Sequence, residues 1–271
     1  LGLGVEGGWM SILSNASREG KLLVVEGGNF LNYPYHFITA LIGGMFLSLA
    51  SHGTDHLMVQ RLLSARNLKD SQKALIGSGF LALFQFGLFL IIGTGIWAFY
   101  EGKTMNSNDV FSSFIIDGLP IGIKGLIVAS IFSAAMSSLS SSINALASTI
   151  MSDWIKSIMP QKYNLTNSRF ISIICGLIIA FSALLFTSTN DPLVEVGLTI
   201  ASFTYGGLLG FFVLGLSKIK FTSFSVIAGL LSSILLMIII VVFTPIAWPW
   251  YTLIGLTLMV LVSTLIKWIE Q

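Results

Sequence analysis

Between Lys73 and Tyr100 the chain carries no charged residue. At ~1.5 Å per helical residue this stretch exceeds the ~30 Å hydrocarbon core of a bilayer. In lipid every backbone N–H and C=O must be bonded internally, so such a stretch folds as a helix. Six more apolar runs of similar length follow the same rule: about His36–Gln60, Pro120–Lys156, Ser168–Thr187, Leu193–Leu216, Thr222–Phe243 and Trp250–Lys267. Only 10% of residues are charged and the mean hydropathy is +0.88, against about 25% charge in globular proteins. The expectation is an all-α, polytopic membrane helix bundle with seven spans, its main partner the lipid bilayer. A net charge of +2 without a basic, aromatic-rich cluster argues against nucleic acid. The lone Cys175, set in an apolar run, offers no disulfide framework.

Residues 1–35 read as an extracellular loop, with one short helix near Trp9–Arg18. Alternating the loops from there puts Arg61, Arg66, Lys69, Lys73, Lys156, Lys162, Arg169, Lys218, Lys220 and Lys267 on one side. Arg18, Lys21, Lys103 and Lys124 fall on the other. Lys and Arg concentrate on cytoplasmic loops, so the N-terminus is expected outside and the C-terminus in the cytoplasm. A bacterial inner membrane suits the short loops. Leu1 opens the chain without a charged n-region or cleavage site, and the chain is expected to be part of a longer protein.

The first span, HFITALIGGMFLSLASHGTDHLMVQ, has a polar centre: Ser48, Ser51, His52, Gly53, Thr54 and Asp55. Gly53 costs a helix about 1 kcal/mol relative to Ala, and Thr54 and Asp55 suit the N-cap of a following helix. The expected form is a broken helix: one half ending near Leu49, an opened segment, and a second half from Asp55 to Leu63. Opened backbone at membrane depth survives only where it lines a cavity or is buried in protein; transporters place substrates at such breaks. The bland alternative is a polar hinge near the membrane surface. His52 and His56 flank Asp55 in a weak likeness to an inverted zinc motif. The remaining histidine, His36, lies ~24 Å up the same helix, so a metal site is not expected. A hydrolase reading lacks a G-x-S-x-G turn.

The span SIFSAAMSSLSSSINALASTIMS, Ser130–Ser152, gathers Ser130, Ser133, Ser137, Ser140, Ser141, Asn144 and Ser148 within roughly a 100° arc of the helical wheel. Small hydroxyl residues suit close helix packing, and Ser138, Ser142 and Ser148 fit that role. Hydroxyls and carbonyls also suit a hard monovalent cation, because they bind without a buried charge.

Two stretches together resemble the sodium:solute symporter family, whose fold is the LeuT-type inverted repeat. GTDHLMVQRLLSARN is similar to that family's G-T-D-Q-x-x-V-Q-R-x-L-S-A-K segment. LPIGIKGLIVASIFSAAMSSLSSSINALASTIMSDWI is similar to its serine-rich L-P-x-G-x-x-G-L segment. The resemblance implies that residues 36–216 form the second five-helix repeat (core helices six to ten) and that 217–271 add two transmembrane helices. It implies sodium ligands on core helix eight: the Ala134 carbonyl and the Ser137 and Ser138 hydroxyls. Ser140 and Ser141 match a second sodium site of some members. Ser138 lies off the polar arc, so here the resemblance overrides the wheel. For the solute it implies Ser48, Ser51 and His52 at the break, with Thr199 and Ser202 as further candidates.

Thr54-Asp55-His56 departs from the family's T-D-Q. Ser51, His52 and Ala82 stand where sugar carriers have an aromatic pair and a lysine, which argues against a sugar and leaves small anions, carboxylates, sialic-acid-like or other polar solutes open. A solute carboxylate could then meet the positive end of the half-helix after Thr54. The expected function is sodium-coupled symport of a small polar solute, with no enzymatic step and no cofactor besides the coupling ion. The missing N-terminal helices of the same protein would be needed to close both sites. The rival readings are a channel or scaffold that uses the serine stripe only for packing, and a membrane-embedded enzyme.

Overall fold

The computed structural model describes residues 7–184 and 191–270. Among them there is no strand. The helices are α1 (Gly8–Arg18), α2 (Phe37–Gly53), α3 (His56–Leu63), α4 (Leu68–Phe99), α5 (Val110–Gly118), α6 (Ile121–Thr149), α7 (Lys156–Ile158), α8 (Leu165–Ala183), α9 (Leu193–Leu216), α10 (Ser223–Phe243) and α11 (Tyr251–Ile269). A π-helical turn, Ile150–Ile155, joins α6 to α7. Among the described residues, six helical segments are long and apolar enough to cross a bilayer, seven if the α2–α3 pair, bent by 66°, is one span. That count agrees with the seven expected spans. The structure adds α5, whose Phe114 and Ile115 are buried, in a stretch between two expected spans. The expected span to Thr187 runs past Ala183 into residues outside those described.

The break in the first span falls later than expected. α2 continues through Ser48, Ser51 and His52 to Gly53, so these residues are helical rather than part of an opened segment. The roughly 1 kcal/mol cost of Gly53 is too small to open a helix whose next turn can still close. The Thr54 N–H donates to the Ala50 carbonyl at 2.8 Å, and its hydroxyl donates to the same oxygen at 2.7 Å. The chain turns at Asp55, which caps α3.

The helices divide into two compact units, one running to Ala98 and resuming at Val194, the other Phe99–Leu193. In the first, α10 and α11 pair as a hairpin, and α2 and α9 each lie against α11. Small residues make these contacts close. A Cβ on Gly206 would meet Gly255 Cα at 2.9 Å, one on Gly210 would meet Met259 at 2.9 Å, and one on Gly43 would meet Pro249 at 2.6 Å. Close backbone approach of this kind is how helices associate where lipid removes the hydrophobic driving force. The loop before α2 is tied to the turn before α11. The Ala247 N–H donates to the Leu31 carbonyl at 2.8 Å and Trp250 Nε1 to the Phe30 carbonyl at 3.0 Å, with the Phe30 and Trp250 rings edge to face.

In the second unit α5 and α8 pack on α6. The contact involves Ala147, Met151 and Cys175, all buried, and a Cβ on Gly176 would lie 3.4 Å from Ile143. Asn164 caps α8 by accepting from the Asn167 N–H at 2.9 Å. Much of α6 stays uncovered: residues 131–140 are all exposed.

Candidate cation and solute sites

On α6 the five candidate ligands lie within two turns of unbroken helix. The Ala134 carbonyl is therefore engaged in the helix ladder and has one lone pair to spare. The side chains of Ala134, Ser137, Ser138 and Ser140 are exposed, and Ser141 is half-buried. The Ser141 hydroxyl donates to the Ser137 carbonyl at 2.6 Å, the usual i−4 bond that satisfies a serine inside a helix. The Ser137, Ser138 and Ser140 hydroxyls are bonded to nothing among the described residues. Chemically the face is a row of neutral oxygen ligands, suited to a hard cation and unable to neutralise one.

The solute candidates belong to the other unit. The covered residues of α2 are Thr39, Gly43 and Ala50, and at ~100° per residue they share one side of the helix. Gly44, Ser48, Ser51 and His52 fall on the opposite side, away from α11. Their polar groups bond locally: His52 Nδ1 lies 3.0 Å from the Ser48 carbonyl and 2.9 Å from Ser51 Oγ. The Nε2 of His52 has no partner among the described residues. Ser51 and His52, both half-buried, thus form one small polar patch on the side of α2 away from α11.

Thr199 and Ser202 lie elsewhere. Ser202 is fully buried, its carbonyl accepts from the Thr252 hydroxyl at 3.2 Å, and its own hydroxyl has no partner among the described residues. Ser202 and its successors on the same side, Gly206 and Gly210, are pressed against α11, and Thr199 falls on that side of α9 too.

The break carries a contact that pattern reading missed. Asp55 Oδ1 accepts from the Leu57 N–H at 2.9 Å and the Met58 N–H at 3.4 Å, while Oδ2 accepts from the Tyr205 phenol at 2.6 Å. The positive end of α3 is therefore already occupied by a carboxylate, and the expectation that it would receive a solute carboxylate is corrected: the same amides cannot serve both anions. The sequence signalled only half of this. Asp55 reads as a cap from its position, but nothing local points to a tyrosine 150 residues away.

At the first turn of α9 the Tyr35 hydroxyl donates to the Glu195 carboxylate. Burial, that bond and the negative charge of Glu195 push the Tyr35 phenol up to about 12.

The profile of the Sodium:solute symporter family matches residues 9–233. The sodium/sialic acid symporter NanT of Aliivibrio fischeri is 25% identical over 271 residues, covering 96% of this chain and 54% of that protein. SiaT of Proteus mirabilis, also a sodium/sialic acid symporter, is 24% identical over 242 residues, covering 85% and 49%. The human sodium/iodide cotransporter is 28% identical over 251 residues, covering 84% and 38%. The fold is similar to the substrate-bound outward-open state of a Na+-coupled sialic acid symporter, with a TM-score of 0.77 and 21% identity, over 99% of this chain and 57% of that one. The chain thus spans about half the length of the sialic acid symporters it matches. From the family profile over most of its length, together with the multi-span helical fold, the chain belongs to the Sodium:solute symporter family.

Proposed function

We propose that this chain is the C-terminal half of a sodium-driven secondary carrier, and that it acts by alternating access without covalent chemistry. Residues 36–216 serve as the second five-helix repeat, 217–271 as two added helices, and 1–35 as an extracellular loop. The C-terminus is cytoplasmic, as the Lys and Arg bias favours, in the plasma membrane of a bacterium. The observation that carries the reading is the family profile over residues 9–233, in a chain whose Ser137, Ser138 and Ser140 hydroxyls have no partner among the described residues. Ala134, Ser137 and Ser138 hold one sodium; Ser140 and Ser141 contribute to a second. Both sites take their remaining ligands from the N-terminal helices of the same protein.

The solute meets Ser48, Ser51 and His52 on the free face of α2, with Thr199 and Ser202 acting through the packing of α9. Relatives are named for sialic acid, iodide and monocarboxylates, and the absence of an aromatic pair at Ser51 and His52 fits an anion better than a sugar. We infer a small carboxylate-bearing solute, held by the Ser51 hydroxyl and His52. Uptake into vesicles bearing the intact carrier tests this, with sialic acid, a monocarboxylate, iodide and glucose competing. The expected result is uptake of an acid that follows the inward sodium gradient and collapses in the Ser137→Ala/Ser138→Ala pair. Uptake unchanged in that pair overturns the sodium site, and preference for glucose overturns the solute class.

A further inference from the structure

The second half of the broken span is weakly held by packing. None of the eight residues of α3 is buried among the described residues, so within this half of the carrier the bonds at its start set its direction. Two elements bound the bend. On one side α2 is seated by Gly43 against Pro249. On the other, α9 is seated by Gly206 and Gly210 against α11. Asp55 joins them: Oδ1 closes the first turn of α3 at 2.9 Å from the Leu57 N–H, and Oδ2 accepts a hydrogen bond from the Tyr205 hydroxyl at 2.6 Å. A bond from a phenol to an ionised carboxylate is among the stronger hydrogen bonds, and both residues are only half-exposed.

We propose that Tyr205 is a positioning residue of the carrier: by holding the Asp55 carboxylate, two residues past the end of α2, it ties the last turn of α2, which carries Ser51 and His52, to α9 and fixes the direction in which α3 leaves. The proposal rests on the reading of Ser51 and His52 as solute contacts. Phe at 205 keeps the ring and its packing but releases Oδ2, leaving α3 attached through the backbone and its own cap. The bend then samples a range of angles, and the solute meets Ser51 and His52 in the right place only part of the time.

The test is transport by the intact carrier bearing Tyr205→Phe or Asp55→Asn, using whichever of sialic acid, a monocarboxylate or iodide the unaltered carrier takes up. Asn caps a helix about as well as Asp and still accepts from the phenol, without the charge. Tyr205→Phe is expected to raise the KM for solute about tenfold, with half-saturation by sodium unchanged within about twofold. Asp55→Asn is expected to fall between Tyr205→Phe and the unaltered carrier. A second reading does not need transport. Spin labels at Met58→Cys and Leu208→Cys, both exposed, are expected to give a broader distance distribution in Tyr205→Phe than with Tyr205 in place. An unmoved KM, an equal shift in sodium half-saturation or an unbroadened distance overturns the pin. Absence of sodium-driven uptake by the unaltered carrier would instead overturn the transport reading, while the distance measurement still decides the pin.

Discussion

The serine face of α6 and the bend between α2 and α3 are both polar places in apolar helices, and they use their polar groups in opposite ways. On α6 the helix is continuous, and the Ser137, Ser138 and Ser140 hydroxyls have no partner among the described residues. At the bend the polar groups are engaged: Thr54 closes onto Ala50, Asp55 caps α3 and receives Tyr205, and His52 contacts Ser48 and Ser51. One region stores binding capacity, and the other spends most of its capacity on shape. Removing polar groups from α6 should therefore affect ligand binding and spare stability, and at the bend the order should reverse.

The sharpest break of that contrast is the Ser137→Ala/Ser138→Ala pair. On the proposed sodium site, losing two oxygen ligands at about 1.4 kcal/mol each should weaken sodium binding on the order of 100-fold. The thermal midpoint should stay within about a degree, because no bond inside the described residues is lost. A drop of several degrees would show that these hydroxyls serve packing. Asp55→Ala should do the reverse. Losing the α3 cap costs about 1 kcal/mol, and freeing Tyr205 from a charged partner adds about 2 kcal/mol. Thermal melting of the purified carrier should register a loss of about 3 kcal/mol.

A smaller effect separates two neighbours on α2. Gly43→Ala pushes a Cβ to 2.6 Å from Pro249, whereas a Cβ at Gly44 meets nothing within 4 Å. The first should cost about 1–3 kcal/mol by overpacking. The second should stabilise by up to about 1 kcal/mol, and any transport defect it causes would place a solute on that face. Equal losses from both would erase the distinction between the packed and free sides of α2.

The smallest effect concerns the tie between Tyr35 and Glu195. The folded-state value near 12 lies above the ordinary 10. The tie therefore contributes fully below pH 10 and is lost as pH rises toward 12. Tyr35→Phe should remove that alkaline decline from a stability–pH curve while leaving neutral-pH transport intact. Tyr35 is largely exposed, so solvent screening keeps the effect small.

Much of this protein was determined by sequence alone. Apolar length decided the number of spans, because the bilayer admits only internally bonded helices. Helical period put Ser137, Ser140 and Ser141 on one side of α6, and Asp55 announced a cap by standing just before an apolar run. Such features depend on neighbours within a few residues. The exact site of the bend did not read out, because Gly53 and the polar run weaken the helix along several residues and only the closing bonds of Thr54 choose among them. Nor did the grip of Tyr205 on Asp55, the burial of Ser202 against Thr252, or the division of α2 into a packed and a free side. Each depends on which helices the tertiary fold brings together, and a residue's own sequence neighbourhood carries no record of a partner 50 or 150 positions away.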